Sequence, residues 1–126
     1  MAHGATYWRR NLPEAADLAQ EIIDLLSDKQ AEDIVLLDIS QASSFADFFV
    51  IASGQSMRQL NALVQTLDAD LNERHPRPRH VEGTAESGWV LLDYRDVIVH
   101  LFAPAERAFY NLEGLWSRSV PVVRFQ

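Results

Sequence analysis

Gly88-Trp-Val-Leu-Leu-Asp-Tyr-Arg-Asp-Val-Ile-Val-His-Leu-Phe102 decides how this chain folds. Two apolar runs flank an acidic tip, the pattern of paired β-strands joined by a tight turn. Only Tyr94 and Arg95 separate Asp93 from Asp96, so in a tight hairpin the two carboxylates face each other or nearly so, and like charges across a strand pair are destabilising. Trp89 opens the first strand, and Tyr94 has no obvious core in which to bury. Strand alternation puts Trp89, Leu91 and Asp93 on one face and Val90, Leu92 and Tyr94 on the other. Folding alone does not call for such a tip. An acidic, aromatic surface for a basic partner accounts for it better than a reaction centre does.

Upstream of the hairpin, Asp33–Ile39 (DIVLLDI) and Asp47–Ala52 (DFFVIA) read as short apolar strands joined by a Ser43-Ser44 bend. Pro13 suits the first turn of a helix capped near Asn11 or Leu12. On that helix Leu18, Ile22, Leu25 and Leu26 form an apolar stripe opposite Glu14, Asp17, Glu21 and Asp24. After Ser53-Gly54, Ser56 and Gln59 make a capping box. The helix it opens carries Met57, Leu60, Val64, Leu67 and Leu71 at steps of three and four, a core face. Pro76 and Pro78 end it, inside the basic run Arg74–His80. A short strand near His80-Val81 and a Gly/Ser loop lead into the hairpin. Pro104 then restarts helix, with Phe109, Leu112 and Trp116 on one face, and Ser119–Gln126 reads as an extended tail that forms an edge strand. The order α-β-β-α-β-β-β-α gives a single α/β domain with a mixed sheet flanked by helices.

The 126 residues, 48% of them hydrophobic, suffice for one core. A net charge of −7 argues against non-specific nucleic-acid binding, which depends on basic side chains neutralising phosphates; it excludes DNA as the expected partner and suits a basic protein. With no cysteine, disulfides, thiol catalysis and Cys-ligated zinc are ruled out. No apolar run approaches the ~20 residues of a membrane span, and residues 1–10 lack the apolar core of a signal peptide, so the expected location is the cytoplasm.

The words Ala31-Glu-Asp-Ile-Val35, Ser44-Phe-Ala-Asp-Phe-Phe-Val-Ile-Ala-Ser-Gly54, Arg58-Gln59, Val81-Glu-Gly83, Gly88-Trp-Val-Leu-Leu-Asp93, Asp96-Val-Ile-Val-His100 and Phe109-Tyr-Asn-Leu-Glu113 with Leu115-Trp116 together resemble the ribosomal silencing factor (Iojap-like) family. The resemblance covers Leu12–Trp116, leaving residues 1–11 as an N-terminal extension and 117–126 as a C-terminal tail. It implies a fold related to nucleotidyltransferases but a non-enzymatic factor that binds the large ribosomal subunit through ribosomal protein fourteen. Such a factor blocks joining of the small subunit and represses translation when nutrients are short. The resemblance further implies a homodimer off the ribosome, and large-subunit assembly as the role of organelle members. Many relatives carry Gly where this chain has Arg95. Glycine would accept a positive φ there at no steric cost, so Arg95 leaves the turn geometry open and adds a positive charge at the tip. Trp89, Asp93 and Tyr94 are the expected anchors for the ribosomal protein, with Asp96 and Arg95 beside them.

Other candidate sites are weaker. Ser53-Gly54-Gln55-Ser56 opens a helix whose N-terminus attracts anions, and Asp68 and Asp70 come later in the chain as in a nucleotidyl-transferring enzyme, the rival reading. Two residues apart on a helix, however, they point roughly 200° apart and share no metal ion, so neither a metal nor a cofactor is expected. His3, His75, His80 and His100 lack the spacing of a helical ligand pair; His100, between Ile98 and Phe102, reads as a hydrogen-bonded structural histidine. Asp38 and Asp47 read as turn residues binding nearby amides. Arg74–His80 reads as a solvated loop, with a minor contact to ribosomal RNA as the alternative.

Overall fold

The computed structural model describes residues 13–125. Six strands form one sheet in the order β3-β4-β5-β2-β1-β6: β1 (Glu32–Asp38), β2 (Phe48–Ser53), β3 (His80–Glu82), β4 (Trp89–Asp93), β5 (Val97–Phe102) and β6 (Val122–Phe125). All neighbours are antiparallel except β2 and β5, which run parallel. The helices are α1 (Pro13–Asp28), α2 (Met57–Leu71), α3 (Pro104–Tyr110) and α4 (Leu112–Trp116), with a 3-10 turn at Ala85–Ser87. The mixed α/β domain expected from the sequence is what forms. The expected cap at Asn11 or Leu12 and His3 lie outside the described residues. Among those described, no helix is long and apolar enough to cross a membrane.

The two faces of the sheet are finished differently. On the first, α1 sets Ala16, Ala19, Ile22, Ile23 and Leu26 against Ile34, Leu36, Phe48, Val50, Val99 and Leu101, and α2 adds Leu60, Leu63, Leu67 and Leu71. These side chains are at or near zero exposure, and each fully buried aliphatic one contributes roughly 1.5–3 kcal/mol relative to exposure. The α2 face is rotated from the one read in the sequence: Leu63 is buried, Val64 only partly, and Met57 is 51% exposed. Ser56 Oγ accepts from Gln59 N as in a capping box, but the Gln59 side chain reaches back to Gln55 N at 2.7 Å and to the Gln30 carbonyl at 3.0 Å. It thereby ties the start of α2 to the end of α1.

On the second face, Val35, Leu37, Ile39, Phe49, Ile51, Ile98 and Phe102 are covered by Leu112 and Trp116 of α4 and by Val120. The single helix expected after Pro104 is broken. Asn111 adopts φ +46°, ψ +51°, closing α3 with a left-handed residue while its side chain accepts from Gly114 N to cap α4. The break swings Phe109 off the core, leaving it 79% exposed, whereas Leu112 and Trp116 pack inward. The expected edge strand in the tail is β6, antiparallel to β1 from Ile34↔Phe125 to Leu37↔Val122.

Candidate functional site

The β4–β5 hairpin sits towards the β3 edge, where α3 and α4 stop short of covering the second face. Burial alternates along β4 as the pattern required: Val90 and Leu92 are buried, whereas Trp89, Leu91 and Asp93 are partly open. The indole of Trp89 lies 4.9 Å from the Phe102 ring, 4.5 Å from Tyr110 and 5.9 Å from His100. Phe49 continues the row, 4.7 Å from His100 and 5.5 Å from Trp116. Aromatic pairs at these separations add ~0.5–1.5 kcal/mol each beyond area burial. Trp89 is therefore a structural member of the row as well as its outer, accessible end.

His100 lies at the centre of that row, 4% exposed. Its Nδ1 accepts a 3.2 Å hydrogen bond from Trp89 Nε1, which places the ring proton on Nε2, a buried atom with no partner among the described residues. Burial disfavours the imidazolium and pushes its pKa down to about 4. It is the hydrogen-bonded structural histidine the sequence suggested.

Beside Trp89 a groove of about 230 Å³ is lined by Glu82, Gly83, Ser87, Trp89, Leu91 and Tyr110. Gly83 shapes it: at φ +83° a Cβ would stand 2.0 Å from the Trp89 carbonyl oxygen, so no other residue fits. Tyr110 is 46% exposed, and Phe109 and Leu115 extend the apolar ridge at 79% and 73%. Reading the hairpin by itself puts Leu91 beside Trp89 but misses Phe109 and Tyr110. Both stood in the word Phe109-Tyr-Asn-Leu-Glu113, and Phe109 also on an apolar helix face, but neither was tied to the hairpin.

At the tip two expectations are corrected. Asp93 and Asp96 do not oppose each other, because Asp93 pairs across the strands with Ile98 and Asp96 lies in the turn. Tyr94 does have a core: it points to the first face and is 7% exposed. Burial, then the nearby Asp68 charge, raises its phenol to about 12, and its hydroxyl has no hydrogen-bond partner among the described residues. Arg95 takes the conformation glycine would, φ +78°, and Asp96 N donates to Tyr94 O at 3.0 Å around it. That is a γ-turn of the strained hand. Asp93 Oδ1 accepts from Arg95 N at 2.8 Å, and Asp93 Oδ2 from Arg79 Nε at 3.1 Å. Arg95 and Asp96 remain exposed.

The remaining candidates are dispersed. Asp68 accepts from Arg77 at 2.9 Å and from Asn72 at 3.2 Å. Asp38 Oδ1 accepts from Ser40 N and Oγ, the local turn bond expected of it. Asp47 makes no such bond among the described residues, and burial, then Asp96 and Asp38, raises its pKa. The Arg74–His80 run is not simply solvated, because Arg74 and His75 pair with Glu21, Arg77 with Asp68, Arg79 with Asp93 and His80 with Glu82. Burial alone would raise Glu21, but hydrogen bonds from His75 and Arg74 outweigh it and hold the carboxyl below the usual range.

Residues 12–126 match the family described as ribosomal silencing factor during starvation. The chain is similar to ribosomal silencing factor RsfS of Zymomonas mobilis, 42% identical over 79% of this chain and 74% of that one. It is also similar to the protein of the same name from Halalkalibacterium halodurans, 38% identical over 87% and 93%. Among solved structures, a crystal structure of a Chromobacterium violaceum protein superposes with a TM-score of 0.76 at 35% identity, covering 80% of this chain and 84% of that one.

Proposed function

The chain belongs to the ribosomal silencing factor family, and on that footing we propose that it binds the large ribosomal subunit through ribosomal protein fourteen, blocks joining of the small subunit and represses translation when nutrients are short. The observation that carries this reading is the family match along residues 12–126. The protein works as a cytoplasmic binding factor and needs no chemistry, since occupancy suffices where its body overlaps the docking surface of the small subunit. Off the ribosome it pairs as a homodimer. An assembly role would use the same contacts at a different time.

The surface best suited to the partner is the open part of the second face. Trp89, Leu91 and Tyr110 form an aromatic groove, and large aromatic side chains bury much area at little entropic cost, as interface anchors do. Asp96 and Arg95 contribute exposed charge at the tip, which governs association rate and orientation more than final affinity. Asp93 and Tyr94 enter as the supports of that tip, one clamping its backbone and the other seating it on the core. Sedimentation through sucrose gradients with separated subunits tests the proposal: the protein co-migrates with the large subunit and not with the small one. Migration with neither subunit at micromolar concentrations would refute it.

A further inference from the structure

Four consecutive links tie the segment between α2 and β3 to the rest of the molecule. Arg74 Nε donates to Glu21 of α1 at 2.6 Å, and the His75 ring pairs with the same carboxylate. Arg77 Nη1 donates to Asp68 of α2 at 2.9 Å. Arg79 holds Asp93 of β4 twice, through Nε to the carboxylate at 3.1 Å and through its own amide to the carbonyl at 2.9 Å. Pro76 and Pro78 alternate with these residues and stop α2 from continuing, and the side chains of the segment reach α1, α2 and β4 in turn. The far end of the strap meets the γ-turn at Arg95, a conformation that persists only where its surroundings over-determine it.

We infer that residues 74–79 form an electrostatic strap and that Arg79 is a positioning residue for the hairpin tip, acting through Asp93 on the Arg95 amide. Asp93 uses one carboxylate oxygen for Arg79 and the other for Arg95 N. With Arg79 in place the carboxylate is oriented towards the turn; without it the side chain, only 16% exposed, is left to reorient towards water. The consequence for binding rests on the proposed use of the tip, whereas the positioning itself is measurable in the free protein.

The test monitors the Arg95 amide by hydrogen exchange and, separately, the association rate with isolated large subunits. In Arg79→Ala the Arg95 amide exchanges about tenfold faster, as expected for loss of the order one hydrogen bond supplies, while the melting temperature stays near wild type because Arg79 is a surface residue. Association slows roughly threefold or more. Arg79→Lys, which keeps the charge without the guanidinium, is intermediate in both readouts. Arg77→Ala removes the same charge from the middle of the strap and leaves Arg95 exchange within about twofold of wild type. Unchanged Arg95 exchange in Arg79→Ala overturns the inference, as does equal acceleration in both alanine variants, which would mark a net-charge effect. Failure of the wild-type protein to bind subunits would strike the proposed function and leave the exchange result to judge the strap.

Discussion

His100 shows how burial at one residue sets a property of the whole protein. Its folded pKa of about 4 lies below the ordinary value of 6.5, so between those values the unfolded chain binds the extra proton and stability falls as the pH drops. The full span corresponds to roughly 3 kcal/mol. Chemical denaturation at pH 7, 5.5 and 4.5 should show the wild type losing stability more steeply than His100→Gln; parallel curves would contradict the assignment. Arg95 offers a second test. A left-handed residue other than glycine is strained by ~1 kcal/mol or more, so Arg95→Gly raises the unfolding free energy and Arg95→Val lowers it. Tyr94→Phe removes a hydroxyl with no partner among the described residues and is neutral or slightly stabilising, again read by denaturation. The sequence marked this tip as unusual and left its turn geometry open at Arg95, which adopts a left-handed conformation. Alternation correctly sent Tyr94 to the face opposite Trp89, but nothing local shows that α2 leaves room there for a phenol, or that Arg79, fourteen positions before Asp93, arrives to hold its carboxylate.

Among the elements, α1 and β4 were legible because they bury apolar side chains at the helical and the strand period, and β1, β2 and β5 because they are short, near-continuous apolar runs buried on both faces. The third helix was not. Phe109, Leu112 and Trp116 fall three and four apart and so satisfy a helical stripe, yet the chain turns left-handed at Asn111 between the first two. Asparagine tolerates that region better than other non-glycine residues, and its side chain caps α4. Asn111→Ala should therefore cost about 1–2 kcal/mol by losing both the tolerated conformation and the cap, measured as a lower urea midpoint at unchanged slope. An undiminished midpoint would mean the break is enforced by packing alone. Arg107 gives α3 a further anchor, donating to Glu113 at 2.7 Å and to Ser53 at 2.8 Å while its side chain is only 11% exposed.

For the whole molecule, the asymmetry between the two faces matters most. One is sealed by two long helices, whereas the other is half covered by two short ones, which leaves only the outer end of the aromatic row, Trp89 and Tyr110, open beside the groove. Composition and strand pattern gave the class of fold; the parallel pairing of β2 with β5 and the place of β6 beside β1 depend on contacts distant in sequence and had no local mark. Trp89 is packed into the aromatic row and, in the proposed function, anchors the partner, so Trp89→Ala should lower stability by about 2 kcal/mol and, on that proposal, weaken binding as well. Phe109→Ser, at a position 79% exposed, leaves the fold intact and tests the rim alone. The central claim is that occupancy of the large subunit prevents subunit joining. Light scattering after mixing separated subunits measures it directly: joining should fall in proportion to added wild-type protein and recover with Trp89→Ala shown by its melting curve to be folded, whereas undiminished joining at saturating wild-type protein would contradict the account.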